Sequence, residues 1–152
     1  MGTLVIVACG GKKIWDKKPD AGPTSAKDAY ISGYFKLNRK YAETFADRWV
    51  ILSAKHGFID PNYIIPENYD VTFTKPKTKP ITIEELKRQA QEKQLDKYKT
   101  IIVLGGKTYA EKVRQAIPQA KTRIKAPLAG LPIGKQMQKI KQAIKTQTPL
   151  DP

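Results

Sequence analysis

One cysteine and one histidine are all that this chain of 152 residues offers of the thiolate and imidazole metal ligands. A lone cysteine, Cys9, forms no intramolecular disulfide, so the fold must stand on its core, and such usage fits a reducing cytoplasm. One Cys and one His do not build a structural zinc site of the usual ligand set. Nothing else in the sequence calls for a metal or a cofactor. Acidic residues are scarce: 14 Asp and Glu stand against 28 Lys and Arg, a formal net charge of +14, with a pI near 9.8. No apolar run approaches the ~20 residues of a membrane span, and the N-terminus opens straight into a short apolar run without the layout of a signal peptide. Internal repeats and low-complexity segments are missing too. The length suits one domain. The positive surplus recurs in several separated segments rather than one tail, which points to a polyanionic partner, DNA or RNA, and away from a membrane. Oligomeric state is left open.

Against these absences stands a pattern that occurs four times. An apolar, β-rich run stops abruptly at small residues and a cation or a proline. Leu4–Val7 ends in Ala8-Cys9-Gly10-Gly11-Lys12-Lys13, Trp49–Leu52 in Ser53-Ala54-Lys55-His56-Gly57, Ile101–Leu104 in Gly105-Gly106-Lys107, and 122–125 in Ala126-Pro127-Leu128-Ala129-Gly130. If these are parallel strands, all four endings lie along one edge of one sheet, where open α/β sheets bind ligands.

The remaining periodicities place helices between the strands. Strands are expected over 3–8, 48–54, 100–104 and 121–125, the last toward an edge because charges interrupt it. A helix is expected over 26–46 from the stripe Tyr30, Tyr34, Leu37, Tyr41 and Phe45. Thr82 and Glu85 make a capping-box pattern opening a helix to about residue 95, with Ile83, Leu86 and Ala90 inside. Further helices are expected over 107–117, burying Tyr109, Val113 and Ile117, and over 133–145, burying Ile133, Met137, Ile140 and Ile144. Residues 9–25 read as a loop, and 57–80, interrupted by Pro61, Pro66, Pro76 and Pro80, as a long irregular segment of the kind that is functional or mobile. Alternation of this sort gives an α/β fold: three layers, with a mainly parallel central sheet flanked by helices. Residues 1–145 form the single domain and 146–152 a flexible tail.

The strand ends carry the candidate chemistry. Gly10 and Gly11 allow close backbone approach, and their amides can cradle an anion beside Lys12 and Lys13. The spacing is neither a Walker A motif nor a dinucleotide fingerprint. Cys9 itself reads as a small core residue rather than a nucleophile. Ser53, Lys55 and His56 form the densest cluster: His56 is an acid or base near neutral pH, Lys55 an electrostatic clamp, and Ser53 a phosphate contact. Asp70, closing the Pro-rich segment, is a carboxylate placed to activate water or to stabilise a sugar cation. Gly105, Gly106 and Lys107 open a helix whose first amides suit an anion. Gly130, Gly134 and Lys135 offer a second phosphate contact, in a segment partly similar to a helix-hairpin-helix loop. Tyr30 and Tyr69 are candidate platforms for a base that has left the duplex.

The run Ile51–Ile59 (ILSAKHGFI), followed by Pro61 and by Tyr69-Asp70, resembles a family of small, poorly characterised microbial and phage proteins with an ILSAKHG-type segment. The early CGGKK, Ala29-Tyr30, Gly105-Gly106 and PLAGLPIG segments sit in the expected order, so the resemblance spans most of the chain. More distantly, the stretch is similar to the YaaA peroxide-stress proteins, which are longer and bind DNA. The resemblance implies an α/β fold and nucleic-acid association, and supplies no reaction. Taken with the strand-end cluster, the expectation is an enzyme acting on nucleic acid at a base or its N-glycosidic bond, DNA glycosylase-like. The alternatives are a non-enzymatic DNA- or RNA-binding protein and an enzyme on free nucleosides or nucleotides.

Overall fold

The continuous apolar run at the N-terminus forms a strand with no solvent-facing side: Leu4, Val5, Ile6 and Val7 are fully buried. The structure is a computed structural model that describes residues 2–150. Along the chain run β1 (Thr3–Ala8), α1 (Ile14–Lys17), β2 (Thr24–Ser25), α2 (Ala26–Ala29), α3 (Gly33–Phe45), β3 (Arg48–Ser53), β4 (Gly57–Ile59) and β5 (Ile64–Ile65). Then follow α4 (Ile83–Glu92), β6 (Thr100–Leu104), α5 (Lys107–Ala116), β7 (Ile124–Lys125) and α6 (Ile133–Thr146).

Five strands make one sheet in the order β4-β3-β1-β6-β7. β1 pairs in parallel with β3 and β6, β6 pairs in parallel with β7, and only β4 runs antiparallel, against β3. Side chains alternate between the two faces of a strand, and the core divides accordingly. Leu4, Ile6, Val50, Leu52, Ile101 and Val103 meet Leu86 and Ala90 of α4 and Val113 and Ala116 of α5. Val5, Val7, Ile51, Ile102 and Leu104 meet Phe35, Tyr41 and Ala42 of α3 and Ile140 and Ala143 of α6. The three-layer α/β architecture with a mainly parallel sheet is therefore as the alternation implies. A two-stranded antiparallel sheet, β2 with β5, lies outside the main one. No helix among the described residues is long and apolar enough to cross a membrane.

Several local expectations change. The helix expected over 26–46 is two helices. Ile31 N–H donates to the Lys12 carbonyl at 3.1 Å, Tyr30 forms an isolated bridge with Lys13, and Ser32 starts α3 afresh by accepting from Phe35 N–H at 3.1 Å. Tyr30 thus leaves the helical stripe; Tyr41 is buried as expected, together with Phe35, Asn38 and Ala42, while Tyr34, Leu37 and Phe45 are half-buried. The loop expected over 9–25 holds α1 and β2, and the irregular 57–80 segment holds β4 and β5. Thr82 caps α4 by accepting from Glu85 N–H at 3.2 Å, but the helix ends at Glu92, before Gln94 in the left-handed region. The last parallel strand is shorter than expected, and a 3-10 turn over Pro118–Arg123 precedes it. A strand rather than a helix therefore leads into the PLAGLPIG segment, and no helix-hairpin-helix forms there. In α6, Ile133 is exposed, whereas Gln136 is buried, its amide donating to the Leu131 carbonyl at 2.8 Å. Thr146 belongs to α6, and Leu150 N–H donates to the Tyr41 hydroxyl at 2.9 Å. Residues 151 and 152 of the expected tail lie outside the described residues.

Gly57 joins β3 to the layer below. Its φ is +76, and a Cβ there would collide with the Gln89 amide and approach Ile81 Cδ1 to 2.7 Å. That amide accepts from Phe58 N–H at 2.8 Å and donates to the His56 carbonyl at 3.0 Å. Gly57→Ala is expected to lower stability by about 2 kcal/mol, from left-handed strain plus the collision. Gly134→Ala, with no atom within 4 Å of the new methyl, is expected to raise it by about 0.5 kcal/mol. Urea midpoints of the two variants check both signs.

Candidate active site

Because β1, β3, β6 and β7 are parallel, their carboxyl ends form one rim. β1 and β6 are neighbours whose chains leave in opposite directions, toward β3 and toward β7. That is the switch point at which open sheets leave a crevice. A polar cavity of about 190 Å³ lies there, lined by residues 9–11, Lys13, residues 69–72 and Tyr109.

The glycines divide by cause. A Cβ on Gly10 would stand 2.7 Å from Ser32 Oγ, and one on Gly105 would stand 2.7 Å from Ala8 Cβ, so packing alone explains both. Gly11 and Gly106 have nothing within 4 Å and leave bare backbone at the rim. Gly106 starts α5 with no side-chain cap.

Behind the cavity, buried hydroxyls hold Tyr69 in place. Ser53, fully buried, accepts from the backbone N–H of Lys55 at 3.2 Å and of His56 at 3.1 Å. Its Oγ is 2.8 Å from the Tyr69 hydroxyl, which also bonds the Tyr30 hydroxyl. Burial pushes the phenols of Tyr30, Tyr69 and Tyr109 far above the usual tyrosine range, so all three remain neutral. The His56 ring stands edge-on to Tyr69 at 5.2 Å. Lys13 Nζ sits 4.6 Å over the Tyr69 ring, a cation–π contact.

Lys13 is the unusual charge. Only 8% of it is exposed. Its N–H donates to the Asp16 carboxylate at 2.8 Å, while its ammonium reaches only the Gly11 carbonyl, at 3.4 Å. No ion pair of Lys13 occurs among the described residues. A buried ammonium without a carboxylate is costly unless something else supplies negative charge. Asp70 shares the cavity lining but is exposed at its mouth.

The cluster read from the sequence is thus partly assembled. Gly10, Gly11, Lys13, Tyr69 and Asp70 line one cavity. Ser53 and His56 pack behind it around Tyr69, and the exposed Lys55 reaches within 5.7 Å of the same ring. Lys12 and Lys107 are exposed on the strand-end turns, and a Cβ on Gly130 would lie 3.2 Å from Lys107 Cε. Gly134 and Lys135 sit exposed on the first turn of α6, outside the cavity lining. Burial changes the roles of three residues. Ser53 has no surface to offer a phosphate, and Tyr30, 1% exposed, props Tyr69 rather than presenting a face. Tyr69 keeps one face under Lys13. Cys9 and Tyr109 were missing from the expected site, yet the Cys9 Sγ is 3.5 Å from the Tyr109 hydroxyl in the cavity wall. Tyr109 matched a buried helical stripe, and only its place in the first turn after Gly106 hinted at the rim. Among the described residues no group of three or more His, Cys, Asp or Glu is placed to hold a metal.

A mainly parallel α/β sheet with a small polar cavity at its switch point defines the class of fold. Within that class, the chain belongs to DUF6884, a family of unknown function whose model matches residues 4–142. It is 43% identical over 145 residues to the uncharacterized protein YfjM of Bacillus subtilis (strain 168), covering 95% of this chain and 96% of that protein. No solved structure matches.

Two titrations check this geometry. Burial pushes the Cys9 thiol up, outweighing the pull of the Tyr109 hydroxyl and of Lys13, so Cys9 is expected to alkylate with iodoacetamide more slowly than a free thiol at neutral pH. Burial, then Lys55, pushes His56 below its ordinary 6.5. The unfolded chain therefore binds a proton that the folded chain refuses, and stability is lost as pH falls below 6.5 toward the folded value. Urea midpoints should drop across that window in the native chain and drop less in His56→Gln.

Proposed function

We propose that the protein is a nucleic-acid-directed hydrolase of an N-glycosidic bond, DNA glycosylase-like, whose cavity receives one base. The observation that carries this reading is the charge arrangement of one small space: a buried, unpaired Lys13 ammonium within, and the exposed Asp70 carboxylate at the mouth. At about 190 Å³, the cavity is below the roughly 300–1,000 Å³ of sites that enclose whole ligands. It suits a single ring, with sugar and phosphates left outside on a surface that carries Lys12, Lys55 and Lys107.

The chemistry follows from where charge develops. The C1′–N bond breaks heterolytically and its electron pair leaves with the base, so the sugar becomes cationic and the base anionic. Lys13 faces the departing base and Asp70 faces the sugar. Asp70 accepts the proton of the water whose oxygen bonds to C1′, and the base takes a proton from solvent. Such groups act most strongly when pre-placed in a site that excludes water. The net charge of +14 favours a polymer over a free nucleoside.

The test is base release. Single- and double-stranded DNA containing uracil, hypoxanthine, oxidised or alkylated bases is incubated with protein and treated with alkali to reveal abasic sites. Lesion-dependent cleavage is expected. Asp70→Asn should lower it by about 10²–10⁴-fold with DNA affinity largely intact, and Lys13→Met by about 10²-fold. Equal loss of turnover and affinity in a folded Asp70→Asn rejects the role given to Asp70. No cleavage across the panel, with salt-sensitive binding retained, replaces the enzyme by a non-enzymatic nucleic-acid-binding protein.

A further inference from the structure

Large hydrophobic side chains are exposed at Tyr63, Ile64 and Ile133 among the described residues, and the first two are adjacent. Tyr63 is 43% exposed and Ile64 54%. Both are carried on rigid backbone. Tyr63 N–H donates to the Asp60 carbonyl at 3.0 Å and its carbonyl accepts from Ala26 N–H at 2.7 Å, while Ile64 pairs with Ser25. Nothing in the fold requires an aromatic ring and a branched aliphatic to stand in water here. The Tyr63 ring also touches a functional neighbour: it packs on His56 at 5.6 Å, and His56 packs on Tyr69, the cavity wall, at 5.2 Å. Three rings therefore run in contact from open surface to the cavity, with the exposed Lys55 next to the middle one.

We propose that Tyr63 and Ile64 form a stacking platform for the nucleotide flanking the one whose base enters the cavity, and that the substrate is single-stranded or locally unpaired nucleic acid. This rests on the reading of the cavity as a base pocket. Aromatic rings beside cations are how proteins hold unpaired strands without reading their sequence. A base inside a duplex has both faces covered by its neighbours, so only an unpaired position offers a face to Tyr63. The net charge of +14, with the exposed Lys55 beside the ring that links Tyr63 to the cavity, attracts a polyanion and repels a second copy.

The experiment measures the affinity of a fluorescein-labelled single-stranded oligothymidylate and of thymidine monophosphate for the native chain, Tyr63→Ala and Tyr63→Phe, with sedimentation velocity on each. The Tyr63 ring is exposed and its backbone bonds survive substitution, so all three fold. Tyr63→Ala is expected to lower the ratio of oligonucleotide to mononucleotide affinity by at least about fivefold, the lower limit for losing one base–aromatic stack. Tyr63→Phe, which keeps the ring, should restore that ratio. An unchanged ratio in Tyr63→Ala, with the native chain binding both ligands, overturns the platform and leaves the cavity reading standing. Failure of the native chain to bind either ligand overturns the cavity reading and the platform with it. A native dimer that Tyr63→Ala converts to monomer, without loss of oligonucleotide affinity, makes the patch a protein contact and overturns the proposal.

Discussion

The burial of β1 on both faces, and its pairing on both edges, is the constraint from which the remainder follows. A strand so enclosed must be apolar throughout, and Leu4 to Val7 are. Its neighbours here are parallel, and helices cover both faces of the sheet. Once β3 and β6 take those places, their carboxyl ends are level with that of β1. Three separate turns, each with small residues and a cation, become neighbours although long stretches of chain part them; the Cys9 thiol and Tyr109 hydroxyl, 100 positions apart in the sequence, lie 3.5 Å from each other. The site is a product of register before it is a product of side chains.

Within the site, polarity is graded by depth. The deepest groups are hydroxyls that burial keeps neutral, and they satisfy one another and the backbone of the Ser53 turn. Above them lies a cation with an aromatic face but no carboxylate, and outermost stands Asp70. A network whose members are all bonded is rigid and tolerates burial. Three atoms break the pattern: His56 Nε2, and both polar atoms of the Asn38 side chain, are buried without a protein partner. The former lies in the ring ladder and the latter in α3.

Much of the fold was legible because it rests on short-range pattern. The apolar runs at 4–7, 49–52 and 101–104 could be nothing but strands in an alternating chain, and their parallel order made the rim predictable. The Thr82–Glu85 cap was equally plain. Breaks governed by long-range partners were not. Nothing local says that Tyr30 must leave the helix to reach the Tyr69 hydroxyl, or that Ser32 restarts it. The site was legible as a set of turns but not as a set of roles. Ser53, Lys55 and His56 are adjacent in sequence, and folding sends the hydroxyl inward and the ammonium outward. Lys13 looked like one of many surface lysines, and only the packing of Tyr69 against it reveals a buried charge. Tyr63 carried no periodic signal, because its exposure depends on a two-residue pairing between β2 and β5.

The Gln89 side chain, met above beside Gly57, has a wider consequence. β4 ends the sheet, and an end strand offers its outward N–H and C=O groups to any other chain. Here the amide of one glutamine on α4 imitates a peptide unit, taking Phe58 N–H and giving to the His56 carbonyl. The sheet is thereby told where to stop by a side chain from the helical layer. The molecule gains a defence against strand-to-strand aggregation that an ordinary inspection of its charge would credit wholly to lysine.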